Sequence, residues 1–564
     1  MELSEQDSEN FDWKTFDLSR ITERFRLKNA YGSQADKLEL ETRRFLYLSA
    51  KFKNEKLAPS EAVDAYWHEL ILNTEVYSRF CQNCFGLFVD HVTDVPTAAS
   101  AAFEFHQASY YKTIELYKRE FEGAPDIECW PTDESRLESR VERYRRPFRV
   151  HIETTNHCNL RCEHCYPESS IENPHHPRQL IDRAIAEAKK MDVNKITLTG
   201  GEILTRPDWK EIFSNALDVC DNVYFITNGL LLTKKKLEWL TRQKALRSLR
   251  NWRRSLLNNQ PVEIGVAISL DGLAGNELVR KSSVGGGIPA SKIIERISLA
   301  VRYGLHVTVN TTITNALSAR ELPEMYKIIA GLGIDRWQID QAYLAGRLSK
   351  SPLSRVPLSW LEEAKPSYKY IVENYLKNYP KIPPWRLEIV QVFRYDNLFY
   401  GFSPARSLTE HPCSYHFGSM IVEQGDWIRF CPSLRDEAIG SISQSGSVEA
   451  VYETPKFKDF LSKSILNLPC KDCRYGALFH GGCRANSLAY AGSIWDADPI
   501  CCSLSPFVED EIVPLLPDSL RKEFFASLRS GLRPGQLTSL PGRKSRMPVF
   551  SINAERPLSN GKGS

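Results

Sequence analysis

The stretch Cys158-Asn159-Leu160-Arg161-Cys162-Glu163-His164-Cys165-Tyr166 constrains this chain more than any other. Its three cysteines stand at C-x3-C-x2-C spacing, directly after an apolar run over 148–152 that reads as a strand. A C-x2-C pair alone suggests zinc or a disulfide. Three thiolates at this uneven spacing can instead hold three irons of a 4Fe–4S cluster. No fourth cysteine follows in the loop, so one iron is left open for another ligand. The competing reading is a structural zinc loop with His164 or His157 as the fourth ligand.

The rest of the chain bears on that choice. Its 564 residues are enough for about two to four domains. Charged residues at 25% and hydrophobic ones at 42% are ordinary for a globular protein. A formal net charge of +3 points to no nucleic acid and no membrane. No apolar run is long enough to span a bilayer, and the acidic start Met1-Glu2-Leu3-Ser4-Glu5 does not read as a signal peptide. Without an export signal, 14 cysteines, most of them in two clusters, point to metal or redox chemistry before disulfides. The expectation is a cytoplasmic protein working where oxygen is scarce.

From Phe148 onward strands and helices alternate. Strands are predicted over 148–152, 195–199, 223–226, 262–270, 307–313 and 337–343. Helices are predicted over 180–191, 209–217, 231–249, 291–303 and 322–332. Such alternation demands a parallel sheet with right-handed crossovers, and chemistry in parallel barrels sits at the C-terminal strand ends. The remaining motifs fall there. Gly200-Gly201-Glu202 follows the second strand; glycines let backbone approach a ligand, and Glu202 can accept from an ammonium group. Thr227-Asn228-Gly229 ends the third strand and Ser269-Leu270-Asp271-Gly272 the fourth, although Asn-Gly and Asp-Gly are also ordinary turn dipeptides. The basic run Arg242, Lys244, Arg247, Arg250, Arg253 and Arg254 reads as the wet face of a helix, with Leu246, Leu249, Trp252 and Leu256 buried.

Together these runs resemble the radical S-adenosylmethionine (radical SAM) superfamily. The resemblance implies an open (β/α)6 barrel of TIM type, within an α/β fold class, and a cluster whose open iron binds S-adenosylmethionine through its amino and carboxylate groups. It implies that Cys158, Cys162 and Cys165 ligate the catalytic cluster. Gly200, Gly201 and Glu202 would bind the methionine amino group, and Arg280 the carboxylate. Thr227, Asn228, Ser269 and Asp271 would face the ribose and methionine parts, and Asn310 and Thr312 could complete the adenosine pocket. His164 stands at the family's usual aromatic position, beside the adenine.

A second cysteine cluster begins at Cys413 and continues through Cys431, Cys470-Lys471-Asp472-Cys473, Gly481-Gly482-Cys483 and Cys501-Cys502. It resembles the SPASM domain, the auxiliary iron–sulfur module of many peptide-modifying radical SAM enzymes; zinc knuckles are the alternative. The family topology would give Cys413, Cys431 and Cys483 to one auxiliary cluster, and Cys470, Cys473 and either Cys501 or Cys502 to a second. The departure is Phe479, which stands where the pattern has a cysteine. Each set is one ligand short unless His480 or both terminal cysteines fill in.

Residues 1–140 read as helical, with Ser60 as an N-cap and Val63, Tyr66, Trp67, Leu70 and Ile71 at helical spacing. The runs 63–68, 121–123 and Trp130-Pro131 resemble the glycine-rich domain-containing protein-like family, over roughly residues 35 to 131. His68, Cys81, Cys84 and His91 could form a metal site, but an aromatic core with buried thiols explains them better. The expected organisation is then a helical domain at 1–140, a barrel at 141–350, a bridge at 351–405, a SPASM domain at 406–510, and a C-terminal helix with a disordered tail at 511–564. The resemblances imply an enzyme that modifies a ribosomally made precursor peptide, served by an electron donor such as flavodoxin or ferredoxin. A maturase of a protein side chain, like the sulfatase-activating enzymes, and a non-catalytic iron–sulfur or zinc scaffold are the rivals.

Overall fold

The computed structural model describes residues 12–29, 31–90, 99–121, 125–132, 147–250, 262–351, 359–379, 384–400, 402, 408–412, 419–434 and 437–530. The expected charged linker, Cys413, and the expected tail therefore lie mainly or wholly outside them. Two hydrophobic cores organise the described residues. One gathers side chains between Leu18 and Trp130; the other runs continuously from Val150 to Leu528.

The N-terminal core is helical. The Ser60 side chain accepts from Val63 N at 3.1 Å and so caps the helix Glu61–Ile71. Val63, Tyr66, Trp67 and Leu70 are buried along that helix. Glu41 is a buried carboxylate that stays because it is well paired: Arg44 (2.8 Å), Tyr117 (3.1 Å) and Trp130 (2.7 Å) all donate to it. His68 lies against Asp64, and Cys81 is buried near Tyr77. These groups form an aromatic core with buried thiols, while His91 falls outside the described residues. The helix Ala99–Glu120 runs against the turn Pro469–Asp472, which carries Cys470.

In the second core the six predicted strands are all present: β1 (Arg149–Glu153), β2 (Lys195–Thr199), β3 (Asn222–Thr227), β4 (Glu263–Ser269), β5 (His306–Ile313) and β6 (Arg336–Gln341). Each is parallel to the next. Strand alternation sends Val150, Ile152, Ile196, Leu198, Val223 and Phe225 into the buried helix–sheet layer.

The sheet extends beyond those six. The region expected to be a bridge holds a helix, Ser359–Asn378, and β7 (Arg386–Ile389), which pairs parallel to β6. β8 (Phe393–Arg394) closes that edge antiparallel. On the other edge β9 (Ser419–Glu423) pairs parallel to β1, followed by antiparallel β10 (Trp427–Arg429) and β11 (Ala438–Ser441). The order β11-β10-β9-β1-β2-β3-β4-β5-β6-β7-β8 leaves β11 and β8 at opposite edges, so the barrel is open.

One expectation for the helix after β3 is corrected. The helix Lys234–Arg250 buries Leu237 and Leu240, but Leu246 and Leu249 are exposed, Leu249 by 71%. Two cations of its second half anchor it beside the strand starts: Lys244 donates to Gly304 O and Arg247 to Asp221. Trp252 and Leu256 lie outside the described residues.

Candidate active site at the C-terminal strand ends

The cysteine loop leaves the C-terminal end of β1 and is sewn to its surroundings by backbone. Cys158 N donates to Ser170 O (2.9 Å), Arg161 N to Lys281 O (2.8 Å) and Glu163 N to Val279 O (2.8 Å). Two sulfurs also receive local N–H groups: Leu160 N donates to Cys158 Sγ at 3.4 Å and Ser169 N to Cys165 Sγ at 3.3 Å. Such donors stabilise charge on sulfur.

The motif residues after β2, β3 and β4 converge on this loop. At Gly200 (φ +135°) an added Cβ would meet Thr155 O at 2.2 Å, and at Gly201 it would meet His157 O at 2.3 Å. In this structure the two glycines thus admit the backbone that leads into the cysteines. Glu202 is fully buried; it accepts from Leu204 N (3.1 Å), Thr227 Oγ1 (2.9 Å) and Asn228 N (2.8 Å). Burial raises its pKa, and those donors work against the rise. A carboxylate has about four lone-pair sites, so Glu202 keeps capacity for a further donor. Asn228 also reaches the loop, donating to Asn159 Oδ1 at 2.9 Å. Ser269 pairs in register with Asn310 at the strand ends, on a half-buried face.

Asp271 is buried completely and works as a hub. It accepts from Thr312 N at 2.9 Å; Arg280 Nε lies 2.6 Å and His164 Nε2 3.2 Å from its Oδ2. Arg280 Nη1 points on to Cys162 Sγ at 4.0 Å. Burial lowers the His164 pKa to about 4, with Asp271 opposing, so the ring is neutral at pH 7. Burial pushes the Cys162 thiol up to about 11, with Arg280 opposing, and raises Cys158 as well.

Four contributors carry no motif. Arg347, just past β6, donates to Cys162 O at 2.5 Å and to Ser169 O at 2.9 Å, clasping the loop from the far side. Its neighbour Gly346 (φ +57°) has no room for a side chain, because a Cβ would lie 2.3 Å from Tyr166 O. Glu321 accepts from Leu273 N (2.7 Å), Ala274 N (3.0 Å) and Gly275 N (3.0 Å), and so fixes the turn after β4. Asp340, near the end of β6, has its pKa pushed up to about 6 by burial, against hydrogen bonds from Gln341 N and Tyr343. A carboxyl titrating there can move protons near neutral pH. A lone Arg or Asp after a strand has no local sequence signature, since its partners are distant in the chain.

The donor set fits an iron–sulfur cubane. Three thiols share one loop, and buried polar atoms beside it, Asn156 Oδ1 and His164 Nδ1, have no hydrogen-bond partner among the described residues. A mononuclear zinc site closes its donors around one ion, whereas a cubane spreads three thiolates over three irons. Among the described residues no three His, Cys, Asp or Glu side chains close on a single ion.

The C-terminal cysteines are held differently. Burial raises the Tyr343 pKa, and the charges of Asp340, Cys483 and Cys431 add to the rise. Burial pushes the Cys470 thiol up to about 11, and Cys502 and Cys473 add to the rise through their charge. The Asp498 side chain accepts from Cys483 N (2.8 Å), Gln391 Nε2 (2.6 Å) and Ile500 N (3.0 Å). The fully buried Arg484 donates to Gly481 O, Ile494 O and Asp496 O. His480, Gly481 and Gly482 all take positive φ, at 50°, 71° and 82°. Phe479 packs against the second core.

Residues 152–329 match the Radical SAM superfamily. Residues 5–107 match a family described as UCP032817-like. The chain is similar to "PqqA peptide cyclase" from Bradyrhizobium diazoefficiens (23% identity over 392 residues, 66% of this chain and 90% of the relative). It is also similar to the protein of that name from Gluconobacter oxydans (26% over 398 residues, 67% and 96%). Among solved structures, "Native anSMEcpe with bound AdoMet" superposes with a TM-score of 0.48 at 18% identity, covering 65% of this chain and 98% of that one. No helix among the described residues is long and apolar enough to cross a membrane.

Proposed function

We propose that this chain is a peptide maturase: a radical SAM enzyme that crosslinks or oxidises side chains of a ribosomally synthesised precursor peptide. The observation that carries this reading is the similarity to PqqA peptide cyclases over 90% and 96% of their length, well beyond the radical SAM domain. When bound, the cluster and S-adenosylmethionine supply a 5′-deoxyadenosyl radical that takes a hydrogen atom from an unactivated carbon. The protein's part is to bind and orient. Cys158, Cys162 and Cys165 hold the cluster. Gly200, Gly201 and Glu202 receive the amino group of S-adenosylmethionine. Thr227, Asn228, Ser269 and Asp271 line its ribose and methionine, Arg280 its carboxylate side and His164 its adenine. Auxiliary iron–sulfur sites are proposed at Cys413, Cys431 and Cys483, and at Cys470, Cys473 and Cys501 or Cys502. A cytoplasmic flavodoxin or ferredoxin is the proposed electron donor.

In this reading residues 1–140 serve recognition of the substrate or a partner. Their helix Ala99–Glu120 abuts the Cys470 turn, which supports a recognition role close to the auxiliary sites proposed there. The test is anaerobic reconstitution, assay of 5′-deoxyadenosine, and incubation with peptides encoded by short reading frames beside the gene. A peptide that loses two hydrogens by mass supports the maturase reading. Cleavage with modification only of a folded protein's side chain favours the sulfatase-activating type, and no cleavage at all leaves the scaffold.

A further inference from the structure

We infer that the Arg280–Asp271 pair sets the reduction potential of the catalytic cluster, through a guanidinium fixed against the Cys162 sulfur and a carboxylate that offsets its charge. This rests on the reading that Cys158, Cys162 and Cys165 hold a 4Fe–4S cluster. Arg280 is placed with little freedom. Its backbone N donates to Asn276 O and its carbonyl accepts from Ile288 N, both at 2.8 Å. Its side chain is 8% exposed, with Nε 2.6 Å from Asp271 Oδ2 and Nη1 4.0 Å from Cys162 Sγ. Asp271 is fixed in turn: its backbone N donates to Asn276 Oδ1 at 3.0 Å and its Oδ1 accepts from Thr312 N at 2.9 Å. Glu321 pins the turn between them. The pair is therefore rigid and shielded from water, where charges act over short distances with little screening.

The cluster gains one negative charge on reduction. A guanidinium beside a ligand sulfur favours the reduced form, and a carboxylate opposes it; charge and hydrogen bonds to sulfur are established determinants of such potentials. Arg280 and Asp271 pack as one unit but carry opposite signs. A structural role predicts the same kind of damage from losing either one. A tuning role predicts shifts of opposite sign.

The test is a redox titration of the anaerobically reconstituted full chain, followed by electron paramagnetic resonance of the signal that disappears in the Cys158→Ala/Cys162→Ala/Cys165→Ala variant. At a potential near the native midpoint, Arg280→Gln is expected to lower the reduced-to-oxidised ratio about tenfold, equal to about 59 mV for one electron. Asp271→Asn is expected to raise the ratio, and Arg280→Lys, which keeps the charge, to stay within about threefold of the native value. Iron content checks that each variant still holds its cluster; where Arg280→Gln does not, the opposite signs are read from Arg280→Met against Asp271→Asn, with Arg280→Lys as the charge-keeping reference. Unchanged midpoints, or shifts of the same sign, overturn the inference. Absence of any triplet-dependent signal in the native chain overturns the cluster reading itself, a separately recognisable result.

Discussion

Cys158, Cys162 and Cys165 share one loop, and residues after β1, β2, β3, β4 and β6 reach that loop or its braces through Ser170, Gly201, Asn228, Arg280 and Arg347. The cysteines from Cys431 to Cys502 are instead spread over short elements and held by tight backbone turns around two hubs, Asp498 and Arg484. The first region distributes its support over many long-range contacts from rigid strand ends. The second concentrates it in Asp498 and Arg484 and in the adjoining turn at Gly481 and Gly482, whose positive φ glycine adopts easily. Losing one brace should therefore be partly tolerated at the first region and felt in full at the second.

The largest effect should come from removing the proposed cluster ligands. Replacing Cys158, Cys162 and Cys165 together by alanine is expected to reduce 5′-deoxyadenosine formation to background while iron bound at the C-terminal cysteines remains, measured by chromatography and iron analysis. Residual cleavage would contradict the assignment. The complementary change, Cys470→Ala with Cys473→Ala, is expected to remove C-terminal iron and leave uncoupled cleavage within a few-fold of native.

Two glycines test the contrast in backbone support. Gly482 sits at φ +82°, and a Cβ there would lie 2.7 Å from Asp498 Cβ and 3.0 Å from Cys501 Cβ. Gly482→Ala is expected to cost about 2–4 kcal/mol from strain and overlap and to release C-terminal iron without ending cleavage. Gly346→Ala, at φ +57° with Cβ 2.3 Å from Tyr166 O, should instead lower iron at the Cys158 loop. If each alanine removed iron equally from both regions, the separation drawn here would be wrong.

Arg347→Lys is a milder probe of the same clasp. Lysine keeps the charge but loses the planar fork that bridges Cys162 O and Ser169 O. A loss of about 1–2 kcal/mol is expected, as for one hydrogen bond to a charged group, seen as a lower denaturation midpoint with cleavage reduced only a few-fold.

The same contrast explains what could be read in advance. The triplet, the glycine pair and the strand periodicity from Lys195 to Gln341 are local signals, and the structure contains all the strands they predict. The helix Ser359–Asn378 escaped because Pro366 interrupts an otherwise helical recurrence of Leu361, Ala364, Tyr368, Ile371 and Tyr375. β7 escaped because Arg386-Leu387-Glu388-Ile389 is too short to stand out. Leu246 and Leu249 misled because their spacing is amphipathic although both side chains are exposed. Arg347, Glu321 and Asp340 were invisible because their meaning lies in partners far along the chain, and Gly200 and Gly201 were legible as close-approach residues without revealing that the approaching group is the cysteine loop's own backbone.

Asp340 is where the two regions meet: it belongs to β6, and its hydrogen-bond partner Tyr343 feels the charges of Cys483 and Cys431. Burial raises its pKa from an ordinary 3.8 to about 6. The unfolded chain then loses this proton at lower pH than the native protein does. Between pH 3.8 and about 6 the native state holds more proton, so its stability falls as pH rises through that window and stays lower above it. Full burial would make the loss on the order of 1–3 kcal/mol, less where water reaches the carboxyl. Asp340→Asn removes the titration. Chemical denaturation should find the variant similar to native near pH 4 and more stable by up to that amount at pH 7. The gap should open between those values. A gap that is constant with pH would mean that Asp340 titrates alike in the folded and unfolded chain and contributes no proton linkage to folding.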